Sequence, residues 1–333
     1  VTYGYRTVFA YLKEADNGNL KDPDTALSRV LTMPISCGQF SYANIKPTRI
    51  LGVSGTLEVM SDYQKGVLQK YGVSQYLYIP SVYGQSNFTF DKVGDGVSIE
   101  RGESDFFQKI TEEISKVATK QKRAVIVFFN DTKRLTEYTS SAFYRKLGRK
   151  KVILTENMSG NEKAFVISKA ATAGQITICT AVFGRGTDFF CKDEALENSG
   201  GVHVIQTFLS SDMSEEIQIQ GRTARQGKQG SYKLILLDKD LEDDFGINCG
   251  ETGNWPRGEF YSRLCKARDT YLQNMYQSTE MSLSKAKQKD DFTHDYFGAL
   301  LDSNASHAKK LLKELYINMK NKHTGPIDID LAF

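Results

Sequence analysis

Two arginines three residues apart, Arg222 and Arg225, stand in the run Gln218-Ile219-Gln220-Gly221-Arg222-Thr223-Ala224-Arg225-Gln226-Gly227. On a helix, that spacing puts both guanidinium groups on one face, within reach of a single cluster of phosphates. Arginine suits the task because it stays charged and offers a rigid fork of donors. It can also stabilise charge that develops on a transferring phosphoryl group. A solvated basic helix end beside Lys228 would have the same composition. A second run, Thr180-Ala181-Val182-Phe183-Gly184-Arg185-Gly186-Thr187-Asp188-Phe189, has two glycines flanking an arginine. Such glycines let backbone lie close against a ligand, and Asp188 can accept from a ribose hydroxyl or hold a neighbouring arginine. A third, Val53-Ser54-Gly55-Thr56, reads alone as a tight turn with a helix N-cap.

The surrounding pattern says how these runs are held. Short β-branched or apolar stretches at 49–53, 76–79, 124–129, 151–154, 176–179, 202–206 and 232–237 fit buried parallel strands. Between them, 57–71, 105–120, 131–147, 162–173 and 214–225 have helical spacing, with Phe106, Ile110, Ile114 and Val117 marking one apolar stripe. Strands alternating with helices predict right-handed βαβ units and an α/β fold whose parallel sheet is covered on both faces. Ligands bind beyond the C-terminal strand ends in such sheets, and the three runs are expected there. Residues 1–48 carry helix-like patches at 7–13 and 24–31, broken by Asp16-Asn17-Gly18-Asn19, and are expected to be the helical end of a preceding domain. The expected division is therefore 1–48, then a sheet domain over 49–245, then a helical extension over 246–333. Residues 250–256 would be the hinge into that extension, and 258–277 and 305–322 its helices.

Composition excludes several classes. Lys plus Arg number 43 against 40 for Asp plus Glu, so a dedicated, strongly basic nucleic-acid binder is not expected, although a local basic groove is compatible with the balance. The five cysteines, Cys37, Cys179, Cys191, Cys249 and Cys265, are odd in number and widely spaced, which points to reduced thiols in the cytoplasm and to neither a disulfide framework nor a zinc site. No run approaches the ~20 apolar residues of a transmembrane helix, and the chain opens on valine without a signal peptide, as expected of a fragment.

In chain order, the Ser-Gly-Thr turn, the element from Ala124, the Gly184-Arg185-Gly186-Thr187-Asp188 loop and the Gly221-to-Gly227 run follow the motif order of the helicase superfamily. With Gly200-Gly201-Val202-His203-Val204-Ile205 and Gly230-Ser231 added, the chain resembles the second nucleotide-binding fold of the SecA family over residues 49 to about 245. The resemblance implies a RecA-like three-layer α/β/α domain of the P-loop NTPase type, with a mostly parallel sheet. It implies that Arg222 and Arg225 contact the phosphates of ATP bound mainly on a first RecA-like domain of the same full-length protein. Gln218 would support them, Gly184, Gly186, Thr187 and Asp188 would approach the nucleotide, and Ser54, Gly55 and Thr56 would couple the two folds. His203 reads as a buried strand residue.

The departures are equally specific. There is no Gly-x-x-x-x-Gly-Lys-Ser/Thr loop and no Asp-Glu pair at a strand end, so magnesium would be held mainly by the first domain and the chain alone should hydrolyse ATP poorly. Phe189-Phe190-Cys191 replaces the family's aliphatic stretch, and residues 194–199 form an insertion. The expected function is half of an ATP-driven motor that moves unfolded polypeptide. A nucleic-acid helicase and a non-catalytic scaffold are the alternatives.

Overall fold

The structure, a computed structural model, describes residues 5–30, 47–189 and 193–322. Contacts divide the chain into two units at the Gly52/Val53 junction. In the first, helices α1 (Tyr5–Asp16) and α2 (Pro23–Val30) flank a turn at Gly18, whose φ of +72° suits glycine. Both predicted patches and the polar break between them are present.

The second unit carries seven parallel strands among the described residues: β1 (Asn87–Thr89), β2 (Val97–Glu100), β3 (Val125–Phe129), β4 (Lys151–Leu154), β5 (Ile176–Thr180), β6 (Val202–Gln206) and β7 (Gln229–Leu237). Their order across the sheet is β1-β7-β6-β3-β5-β4, with β2 also paired to β7. Helices α3 (Asp62–Lys70), α4 (Glu103–Ile114), α5 (Thr132–Ser140), α6 (Ala142–Arg145), α7 (Gly160–Ala170), α8 (Glu194–Asn198), α9 (Met213–Gln220) and α10 (Asp238–Phe245) connect them, and α11 (Phe260–Leu301) and α12 (Ala305–Lys322) follow.

Strand alternation builds the three layers. Val125, Val127 and Phe129 of β3 pack with Phe106, Ile110 and Ile114 of α4 and Leu135 and Tyr138 of α5. Ile126 and Phe128 point the other way, into a core with Val166 of α7, Leu196 of α8 and Ile219 of α9. Every residue of β3, β5 and β6 is buried, which is the signature of a sheet covered on both faces. The expected α/β architecture is therefore observed.

Two predicted strands are corrected. Residues 49–53 and 76–79 lie outside the sheet, with Leu51, Val53, Leu77 and Ile79 exposed. Their apolar, β-prone composition finds no partner strand among the described residues. The two strands that sequence did not show, β1 and β2, are short edge strands paired to opposite halves of β7. The segment expected to be a hinge is tethered instead: the Gly250 amide and the Thr252 hydroxyl both donate to the Asp238 carboxylate, at 2.8 and 2.9 Å. Helix α11 is longer than expected, running on from 277 to 301, and α12 has the expected bounds.

Candidate functional site

The region around the two arginines begins with α9. Its N-cap, Asp212, accepts from the Ser214 amide at 2.8 Å, and the helix ends at Gln220 with Gly221 as its cap. The expected helix over 214–225 is thus too long, and Arg222 and Arg225 do not share a helical face. Ala224 and Gln226 both adopt left-handed backbone, with φ of +52° and +56°, and Gly227 follows at +77°. This tight reversal, unusual for alanine and glutamine, re-aims the second arginine.

The guanidinium groups nevertheless converge. Arg222 donates from Nε to the Gln218 carbonyl at 3.0 Å and from Nη1 to the Thr187 carbonyl. Arg225 pairs through Nη1 with the Asp188 carboxylate. Gly186, with φ of +65°, turns the loop so that Thr187 and Asp188 face the arginines. Gly184 is required for a different reason: a Cβ there would lie 2.6 Å from Ile219 Cγ1, so the loop can press against α9 only without a side chain. Burial and the neighbouring Arg225 hold the Arg222 guanidinium below its usual value, opposed by Asp188. It stays charged at any physiological pH.

The position also differs from expectation. The Thr223 hydroxyl donates to the Val202 carbonyl at 2.6 Å, and Arg222 and Arg225 line a hollow with Gly201, Val202 and Gln229. Val202 and Gln229 open β6 and β7, so the arginines sit at the N-terminal strand ends. The reason is topological. A crossover helix that leaves the C-terminal end of one strand must return its own C-terminus to the start of the next, here β7. The 184–188 loop leaves the C-terminal end of β5 and runs on to meet the arginines near the starts of β6 and β7.

The structure brings Gly184, Gly186, Thr187, Asp188, Gln218, Arg222 and Arg225 together, Gln218 through its backbone carbonyl. Ser54 and Thr56 bond to each other at 3.0 Å in an exposed turn, and neither they nor Gly55 line this hollow. Phe189, Glu197 and Lys228 line it too. The 194–199 insertion supplies α8, which Asp193 caps and buried Leu196 anchors, and its Glu197 pairs with Lys228. Phe189 is buried against Phe128, while Phe190 and Cys191 fall outside the described residues, as does Cys37. Cys179, Cys249 and Cys265 are free thiols.

His203 is buried away from the arginines. Its Nδ1 is 2.7 Å from the Ser231 hydroxyl, and Nε2 is 3.6 Å from a Glu113 oxygen, but Lys233 already holds that carboxylate at 2.9 Å. Burial, with Arg123, Lys233 and Lys116 nearby, pushes the imidazole down to about 3. The unfolded chain therefore binds a proton that the folded one refuses, and stability falls as pH drops from about 6.5 toward 3. Denaturant titrations of wild type and His203→Gln between pH 7 and 4.5 should show a steeper acid-side loss in wild type. Parallel curves would contradict this assignment.

Residues 105–227 match the family model of the helicase conserved C-terminal domain. The protein translocase subunit SecA of Syntrophus aciditrophicus (strain SB) is 28% identical over 204 residues, covering 60% of this chain and 22% of that protein. Residues 105–227 form a SecA-like helicase C-terminal domain. A second relative, the SecA 2 subunit of Rhodopirellula baltica, is 38% identical over 96 residues, 28% of this chain and 14% of that protein. The chain thus spans about a fifth or less of the length of these relatives. Among solved structures, S. cerevisiae Dbp5 bound to RNA and ADP BeF3 superposes with a TM-score of 0.39 at 16% identity, over 63% of this chain and 47% of that one. That likeness is too low to add to the assignment.

The helicase C-terminal domain presents two guanidinium groups side by side, which suits the phosphate end of a nucleotide. Among the described residues no group of three or more His, Cys, Asp or Glu could hold a metal. Among the same residues, no helix is long and apolar enough to cross a membrane.

Proposed function

We propose that this chain is the second motor fold of a SecA-like ATP-driven translocase acting in the cytoplasm. On this reading residues 49–245 are the motor fold, 246–333 a helical extension and 1–48 the end of a preceding domain. ATP binds on a first RecA-like domain of the same full-length protein, which also holds the magnesium. Arg222 and Arg225 reach its phosphates, while Gly184, Gly186, Thr187 and Asp188 approach the nucleotide from the facing loop. Ser54, Gly55 and Thr56 couple the two folds.

The observation that carries this reading is the convergence of both guanidinium groups on Thr187 and Asp188. Arg222 is fixed by two backbone carbonyls. Arg225 is held by one exposed carboxylate, an ion pair of low strength at a solvated site. It can exchange Asp188 for a phosphate oxygen when the two folds close, and a closure of this kind would convert hydrolysis into movement of unfolded polypeptide.

One observation favours a nucleic-acid substrate instead. Exposed Lys122, Arg149 and Lys150 surround a hollow beside the start of β5, a local basic groove inside a near-neutral chain. ATP hydrolysis by the full-length protein, measured with unfolded polypeptide and with single-stranded RNA, separates the readings. Stimulation by polypeptide is expected. Stimulation by RNA alone would assign a helicase, and no hydrolysis under any condition would assign a scaffold.

A further inference from the structure

The helical extension is joined to the arginine turn through a buried ion pair. Arg268 of α11 and Glu216 of α9 are both fully buried, and the Arg268 Nη2 donates directly to the Glu216 carboxylate. The second Glu216 oxygen accepts from the Tyr261 hydroxyl at 2.7 Å and from the Gln220 amide at 2.9 Å. Arg268 Nη1 rests 3.0 Å from the Met213 sulfur, and its Nε has no partner among the described residues. Tyr261, Leu264, Arg268 and Leu272 form the inward stripe of α11, so this contact lies where the helix meets the fold.

Such a pair is costly. Taking both charges out of water offsets much of their attraction, and a buried ion pair replaced by apolar side chains of similar size often leaves a protein as stable or more so. Stability alone therefore gives this pair little reason to exist. Its geometry suggests another role. Glu216 lies one turn before Gln220, the last residue of α9, and Gln218 in that same turn holds Arg222 through its carbonyl. Ile219 between them packs on Gly184 and so sets the facing loop. Rotating or shifting α9 would displace both halves of the site at once.

We propose that Arg268 is a positioning residue: by clamping Glu216 it fixes the axial position of α9, and with it the arginine turn, to that of helix α11. The contact makes the extension part of the motor, and a force or partner acting on the exposed outer half of α11 would be felt at Arg222 and Arg225. This rests on the reading that those arginines act on ATP. Arg268 touches neither arginine nor the nucleotide; its effect passes through α9.

The test is ATP hydrolysis by the full-length protein carrying Glu216→Gln together with Arg268→Met, which removes both charges and keeps the volume. Turnover should fall about tenfold or more, as expected when catalytic groups are displaced by a fraction of an ångström. KM for ATP, set on the other fold, should be unchanged, and the melting midpoint should stay within a few degrees of wild type. Arg268→Lys, which keeps the charge but loses the fork, should give an intermediate turnover and decides the matter if the double variant does not fold. Turnover within twofold of wild type, in a protein where Arg225→Ala is inactive, would overturn the proposal and leave the motor reading intact. A loss of turnover that only tracks loss of folded protein would overturn it as well. If Arg225→Ala itself is fully active, the motor reading fails and the proposal with it.

Discussion

Arg225→Ala in the full-length protein is expected to lower the turnover of ATP hydrolysis by about 10³-fold, the lower end of what an arginine supplied to a transferring phosphoryl group contributes. The residue is half-exposed, and among the described residues its guanidinium is held by the exposed Asp188 carboxylate, a pair that adds little to stability. Its removal should leave the melting midpoint unchanged. KM for ATP should move little, because the interaction strengthens as charge builds on the phosphoryl oxygens and is weak in the ground state. Arg222→Ala should behave differently. That side chain bridges the Gln218 and Thr187 carbonyls, so its loss should lower turnover and also loosen the 184–188 loop. Steady-state kinetics with thermal melts on both variants would check this. An Arg225→Ala protein with wild-type turnover would contradict the assignment.

Gly201→Ala is expected to be the most destabilising of the glycine substitutions near the site. Gly201 has φ of +71°, and a Cβ there would stand 1.8 Å from the Gln229 carbonyl oxygen. The left-handed backbone costs a non-glycine residue about 1–3 kcal/mol. The clash adds to this, because the obstructing atom is backbone of β7 and can move only if the β6–β7 pairing opens. A total loss of at least about 3 kcal/mol follows. Gly186→Ala is the natural comparison, since φ there is +65° but the Cβ would meet nothing within 4 Å. Strain without clash should cost the same about 1–3 kcal/mol, so the difference between the two variants is the clash. Denaturant unfolding of the two variants should separate them by 2 kcal/mol or more, and equal losses would contradict the account.

Much of the sheet was legible in the sequence. The central strands β3, β5 and β6 and the edge strand β4 read correctly because each is a largely β-branched or apolar run. The edge strands Asn87–Thr89 and Val97–Glu100 could not be read, being three and four residues long and partly polar. Residues 76–79 carried the stronger apolar signal, yet pair with nothing in the sheet. At the candidate site, glycine and arginine spacing picked out the residues that converge, Gly184 to Asp188 with Arg222 and Arg225, but not their arrangement. A helix carried through to Arg225 was the simplest extrapolation, and the left-handed turn at Ala224 and Gln226 defeats it, because neither residue type signals such backbone. The Glu216–Arg268 pair spans 52 positions, and no local pattern announces it. The one signal that could have found it was an arginine on the same helical stripe as Tyr261, Leu264 and Leu272.

On the proposed function, this fold supplies charge to ATP held elsewhere in the protein at the moment the phosphoryl group transfers. The most direct measurement is the affinity of the full-length protein for ADP with aluminium fluoride, which mimics that state, against its affinity for ADP alone, in wild type and in Arg225→Ala. The variant should bind ADP as wild type does but lose about 100-fold or more in affinity for the mimic. Equal affinity of both proteins for the mimic would contradict it.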